Sequence, residues 1–115
     1  FLTVPSAFTR KTGEAHWHTL LRARAIENGC FVFAAAQAGM HENKRETYGH
    51  SLIIAPWGDI LAEGGVEPGV FLAEIDTSKV EAARKTVPSL QHGRRFGIAD
   101  PKAGPEHLHL VRGSV

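Results

Sequence analysis

Apolar and polar positions change their spacing several times along this chain, and each change marks an element. Leu2 to Val4 form a short apolar run ended by Pro5, so a buried strand is predicted there, followed by a loop over "SAFTRKTG". From Gly13 the period becomes helical: Trp17, Leu20, Leu21 and Ala25 recur at spacings of three and four, leaving Glu14, His18, Arg22 and Glu27 for the wetter side. Thr12 is the expected N-cap, and Asn28-Gly29 the expected stop. "CFVFAAA" is apolar at successive positions, the pattern of a central strand covered on both faces. The polar "HENKRETYG" predicts a loop. "HSLIIA", the turn "PWGD" and "ILAE" predict a hairpin, with Pro56 and Gly58 supplying the turn chemistry. After "GGVEPG", the run "VFLAEID" predicts another strand. Asp76 to Ser78 offer caps, with Ser78 and Glu81 spaced as a capping box, for a short helix over Lys79 to Thr86 that Pro88 ends. Beyond Phe96 the chain turns loop-like, with "LHLV" as a last short strand or an arm on a partner. No internal repeat or low-complexity tract interrupts the series.

The expected fold class is therefore α/β, with one strand, one long helix, several strands and a second helix. Two helices cannot cover both faces of a sheet whose central strand is this apolar, which predicts a further layer from another chain or from an N-terminal portion. The opening "FLTVPSAF" reads as a strand in a fold already under way, so a fragment is expected. Composition adjusts this picture only at its edges. At 115 residues, 43% hydrophobic and 22% charged, the chain falls in the globular class as one domain. A net charge of +1, with basic residues scattered as pairs such as Arg22/Arg24 and Arg94/Arg95, excludes the massed basic footprint of a nucleic-acid binder. No apolar run approaches the roughly 20 residues needed to span a bilayer, and no signal-peptide pattern is present. A soluble, cytoplasmic protein is expected, with no nucleic acid or membrane as partner. A single cysteine agrees with a reducing compartment.

That cysteine, Cys30, is the first chemical candidate. A nucleophilic thiolate needs a nearby base, cation or helix N-terminus. Cys30 instead follows the C-terminal end of a helix and opens an apolar strand, two settings that disfavour an anion. It is read as structural. Seven histidines raise the question of a metal. His16 and His18 are two apart on a helix and point in different directions, and His107 and His109 lack a placeable third ligand, so no metal site is predicted. His50, entering the hairpin, fits a hydrogen-bonded packing role better than that of a base. Arg24 and Glu27, three apart, form an ion pair before they form a catalytic cluster. "AEGGVEPG" lacks a phosphate-loop pattern and is a turn.

The stretches "TVPSAFTRKTGEAHWHTLLRARAIENGCFVFAAAQAG", "YGHSLIIAPWGDILAEGG" and "VPSLQHGRR" resemble the nitrilase superfamily of carbon-nitrogen hydrolases, and most closely its Nit-type amidases acting on deaminated glutathione or related ω-amides. The resemblance runs from residue 1 to about Phe96, implying a C-terminal part of the hydrolase domain over 1–96 and a separate tail, a possible partner-binding arm, over 97–115. It implies the C-terminal part of an α-β-β-α sandwich, pairing with a second copy across helices as a homodimer or higher oligomer, with no cofactor. It also implies a Glu-Lys-Cys triad that cleaves small linear amides or nitriles through a thioester. All three triad members would lie upstream of Phe1, leaving Cys30 a packing position and this chain inactive by itself. Carried onto this sequence, the resemblance makes Phe8 and Thr9 walls of the substrate pocket and Gln37 a further pocket residue. It places Trp17, Arg22, Arg24 and Glu27 at the subunit contact. Two departures stand out: His18 where many relatives have Glu, and Ala55 in place of the Asp often seen before "PWG". The alternatives are a truncated, non-catalytic module that pairs with another chain, and an independent hydrolase built on Cys30.

Overall fold

The computed structural model describes residues 1–96. Six short strands and two helices follow one another as β1 (Leu2–Thr3), α1 (Arg10–Asn28), β2 (Val32–Ala34), β3 (Ala38–Met40), β4 (Glu46–Tyr48), β5 (Leu52–Ile54), β6 (Ile60–Glu63) and α2 (Ser78–Thr86). A four-stranded sheet has the order β1-β2-β5-β6, with β1 parallel to β2 and the other neighbours antiparallel, and β3 pairs with β4 as a separate ribbon.

The 19-residue helix α1 forms because its apolar residues fall in steps of four, and it lies on one face of that sheet. Trp17, Leu21 and Ala25 meet Val32, Ala34, Leu52 and Ile54, and this is the core. Leu20, one position off that line, is 47% exposed rather than part of the apolar stripe. The helix also begins earlier than its periodicity implies. Thr9, not Thr12, occupies the N-cap with extended backbone, and the Gly13 amide donates to the Thr9 carbonyl at 2.8 Å. The first turn is held from outside by Arg10, whose guanidinium pairs with Glu14 at 3.0 Å and with Glu46 of β4 at 2.6 Å.

The end of α1 is a Schellman motif. Gly29 adopts φ 52°, its amide donates to the Ile26 carbonyl, and the next amide, that of Cys30, donates back to Ala25. Glycine is required there because a left-handed residue with a Cβ is strained. The Arg84 guanidinium of α2 then donates to the Gly29 and Asn28 carbonyls, placing a cation at the negative end of α1.

β2 is central, as its composition predicts, but among the described residues it is covered on one face only. Val32 and Ala34 are buried beneath α1, whereas Phe33 and Ile53 on the other face are half-buried and Ala35 is exposed. Two other expectations about strands are corrected. Leu2 and Thr3 form an edge strand among the described residues, with Leu2 38% exposed, because β1 has a sheet neighbour on one side only there. "VFLAEID" joins no ladder among the described residues, and Val70 and Leu72 stand 85% and 86% exposed; the segment is held instead by Phe71, whose ring packs over Gly64 and Gly69. Of the predicted loop "HENKRETYG", residues 41–45 are a turn, while Glu46–Tyr48 pairs with Ala38–Met40. The hairpin at "PWGD" is as predicted, closed by the Ala55 amide to the Asp59 carbonyl, with Gly58 at φ 93°. The predicted tail beyond residue 96, including "LHLV", His107 and His109, lies outside the described residues.

α2 is present where predicted, with Thr77 at its N-cap position, and of the caps that Asp76 to Ser78 offer it is the Asp76 side chain that binds, in place of a Ser78–Glu81 box. The Asp76 carboxylate accepts from the Ser78 hydroxyl at 2.6 Å and from the Ser78 amide at 3.0 Å. These two bonds, the hydroxyl first, hold the Asp76 pKa below its ordinary value. A lowered folded-state value means that the cap contributes fully above the ordinary carboxylate range and is lost as the pH falls through the lowered, folded-state value. The first turn of α2 is therefore expected to loosen below about pH 4, seen as a titration of the Ser78 amide chemical shift that disappears in Asp76→Ala. The same profile in both proteins would contradict the assignment.

Candidate functional site

Pro5, by turning the chain out of β1, sends residues 6–8 alongside the end of β2. The Ser6 amide donates to the Ala35 carbonyl and the Gln37 amide to the Ser6 carbonyl, both at 2.9 Å. The β3–β4 ribbon stands on one side of this segment and the loop 65–69 on the other. Two links hold the three together: the Arg45 guanidinium donates to the Ala7 carbonyl at 2.6 Å, and the His50 amide donates to the Gly65 carbonyl at 3.0 Å. Between them lies an open cleft of about 980 Å³, whose polar and loop walls include Ser6, Ala7, Gln37, His41, Ser51 and Glu67. It continues onto the uncovered sheet face as an apolar hollow of about 490 Å³ lined by Phe33, Ile53, Val70 and Phe71.

The polar groups at the cleft are positioned by specific bonds. His41 Nε2 shares a 2.7 Å hydrogen bond with the hydroxyl of Thr47, a buried polar residue of the ribbon. The Ser51 hydroxyl accepts from the Ala36 amide at 3.0 Å, which ties it to the sheet rather than to chemistry. No thiol lines the cleft. Cys30 is 7% exposed and occupies the position after the Schellman glycine, where a buried apolar residue accompanies the motif.

The predicted pocket residues divide. Gln37 lines the cleft, but Phe8 and Thr9 do not. Phe8 turns inward, its ring 5.0 Å from that of Trp17, and Thr9 caps α1 and bridges to Thr47. The wall falls to Ser6 and Ala7, because residues 6–8 bend where the Trp17 ring offers Phe8 an apolar seat. Of the predicted contact residues, Trp17 is 2% exposed in the core, with its indole N–H donating to the His50 carbonyl at 2.7 Å, so it presents no surface to a partner. Arg22, Arg24 and Glu27 do lie on the exposed side of α1. Arg22 donates to the Gly58 carbonyl at 2.8 Å, and Arg24 pairs with Glu27, the ion pair that their spacing predicts.

Two of the histidines, His18 of α1 and His50, form a packing cluster with Tyr48. His50, at φ 58°, stacks on Tyr48 with ring centroids 4.0 Å apart, and His18 meets both rings edge-on while pairing with Glu63 at 2.9 Å. His18 thus has an acidic partner in Glu63. Among the described residues no group of three or more His, Cys, Asp or Glu side chains could hold a metal ion, and no helix is long and apolar enough to cross a membrane. Sequence reasoning singled out neither Ser6, Ala7, His41 and Glu67, which line the cleft, nor Arg45, which bonds to its Ala7 wall. The signals were Pro5 for the first pair and the charged turn "HENKR" for His41 and Arg45; Glu67 sits in a glycine-rich loop whose position depends on Gly65 and Phe71.

Comparison with known proteins gives one consistent result. The family model described as "Carbon-nitrogen hydrolase" matches residues 2–85. A deaminated glutathione amidase of Synechocystis sp. is 54% identical over 91 residues, which is 79% of this chain and 34% of that protein. The crystal structure of the NitFhit protein of C. elegans aligns with TM-score 0.76 and 52% identity over 81% of this chain and 23% of that one. A mutant of the amidase from Nesterenkonia sp. AN1, solved after Michael addition of acrylamide at its active site cysteine, aligns with TM-score 0.56 and 30% identity over 78% of this chain and 35% of that one. The chain spans about a third of the length of the curated relatives it matches.

Proposed function

This chain belongs to the carbon-nitrogen hydrolase family, the nitrilase superfamily, and from that premise we propose that it forms the C-terminal part of a hydrolase domain that cleaves linear amides of small acids, such as deaminated glutathione or related ω-amides. The nucleophile, general base and oxyanion-stabilising lysine of that domain lie outside these residues. In the reaction the glutamate takes the thiol proton as the cysteine sulfur bonds to the amide carbon. The C–N bond then breaks and the nitrogen leaves with that proton, as ammonia from a primary ω-amide or as an amine from an N-substituted amide such as deaminated glutathione. Water then attacks the thioester, and the C–S bond breaks to free the acid.

The contribution of this chain is the wall. Ser6, Ala7 and Gln37 line the cleft, and the apolar face carrying Phe33 and Ile53 is the surface on which a second sheet closes. The exposed side of α1, with Arg22, Arg24 and Glu27, is the contact to a second copy, and residues 97–115 are a tail outside the hydrolase domain. The observation that carries this reading is the placement of Cys30: the chain's one thiol is buried at the end of α1 and lines neither part of the cleft, so it cannot be the attacking group.

Ammonia release from a linear ω-amide tests this. In the full-length protein, Cys30→Ala is expected to keep the rate within about twofold, since it changes a packed small side chain and not the chemistry. The 115-residue chain alone is expected to release none. A Cys30→Ala protein that stays folded but loses hydrolysis would overturn the reading.

A further inference from the structure

We infer that the turn joining β3 to β4 is a carboxylate-recognising rim of the cleft, with the Arg45 guanidinium as its specificity-determining group. This rests on the amide-hydrolase reading and names the residue that would hold the acyl-side carboxylate such amides carry.

The turn is built to hold its charges in place. The His41 amide donates to the Arg45 carbonyl at 2.9 Å, the Lys44 amide to the His41 carbonyl at 2.8 Å, and the Arg45 amide to the Asn43 side chain at 3.0 Å. Lys44 is kept at φ 62°, a conformation that costs a non-glycine residue energy and is sustained only by such surrounding bonds. The turn reaches the cleft at two points. His41 lines it directly, and Arg45 Nη2 bonds to the carbonyl of Ala7, itself a wall residue.

The charges nearby leave the guanidinium available. Glu46, the acidic residue next to Arg45 in sequence, is engaged by Arg10 at 2.6 Å. Among the described residues neither Lys44 nor Arg45 has a salt-bridge partner, and the bond to Ala7 is the one hydrogen bond made by the Arg45 side chain. One Nη2 donor thus fixes the group at the rim while the rest of the planar fork remains for a ligand, the arrangement that binds a carboxylate through two parallel bonds. Glu67, in the loop across the cleft, has the opposite effect. It repels a carboxylate from that wall and so orients the substrate acid toward Arg45.

The test compares two amides in the full-length protein: the monoamide of glutaric acid, and pentanamide, which has a methyl group in place of the carboxyl. Arg45→Gln is expected to lower the ratio of kcat/KM for the acid amide to that for the neutral amide by about 10- to 100-fold, the usual scale for a charge-assisted contact. The loss should appear as a raised KM for the acid amide, and Arg45→Lys should recover part of it. An equal fall on both amides would mean that Arg45 only braces Ala7, and no change would mean that it does nothing at the rim; either overturns the inference. If the parent protein cleaves neither amide, it is the hydrolase reading that fails. Calorimetric titration with glutarate then decides the rim separately. Weaker binding by Arg45→Gln sustains it, and equal binding, or none by the parent protein, overturns it.

Discussion

Trp17→Ala should be the most destabilising single truncation in these residues, lowering the unfolding free energy by about 3–5 kcal/mol from lost packing alone. The indole is 2% exposed between α1 and the sheet, and it is the seat of Phe8. Its removal also leaves the His50 carbonyl without the indole N–H, adding about 1–3 kcal/mol where no water replaces it. Against a typical domain stability of about 5–15 kcal/mol, this is enough to depopulate the native state near its growth temperature. Trp17→Phe separates the two contributions, since it keeps most of the apolar volume and loses the donor. Urea unfolding of the full-length protein measures both, through a lower midpoint at an unchanged slope. The outcome also discriminates between two placements. A subunit-contact tryptophan would give a loss that depends on protein concentration, whereas a core tryptophan gives the same loss at every concentration.

Gly13→Ala should also destabilise, although helix propensity alone would favour alanine by about 1 kcal/mol. Gly13 lies where α1 passes closest to β4, and a Cβ built there falls 2.3 Å from both Cβ and Cγ of Tyr48. Overpacking of this kind costs about 1–3 kcal/mol and occasionally more, so the steric term outweighs the propensity gain. Tyr48 cannot swing aside. Its amide is bonded to the Phe8 carbonyl, and its ring is stacked on His50. Because the clash begins at the tyrosine Cβ, trimming that residue to alanine does not relieve it, and the double variant is expected to remain less stable than Tyr48→Ala alone. Gly65→Ala is the control: a Cβ there meets nothing within 4 Å and the backbone is not left-handed, so its effect should stay within about 0.5 kcal/mol. A stabilised Gly13→Ala protein would show that α1 and β4 are not in contact at this point.

What could be read along the chain was local and chemical. The i, i+4 spacing of Trp17, Leu21 and Ala25, the Asn28-Gly29 stop, the Pro56/Gly58 hairpin and the helix before Pro88 each depend on neighbours a few residues away, so their signals lie within one window of sequence. The burial of Cys30 was legible for the same reason, since a helix end and an apolar strand flank it directly. Errors arose where a residue's role depends on something distant. Thr9 displaces Thr12 as cap because Arg10 is anchored to Glu46, 36 positions away. Glu46–Tyr48 becomes a strand because Ala38–Met40 offers it a ladder, and Val70–Asp76 does not because no partner strand lies beside it among the described residues.

The sequence by itself determined the α/β class and the family, because periodicity, turn residues and long ordered motifs are properties of order along the chain. Only the tertiary structure decided which face of a residue meets what. It turned Phe8 from the cleft to Trp17, moved Trp17 from a surface to the core, and carried Arg45 across 38 positions to the Ala7 carbonyl. The physical reason is that a side chain's direction and partners are set by how α1, the sheet and the β3–β4 ribbon pack. That packing is governed by the few places, such as Gly13 against Tyr48, where two backbones must come close.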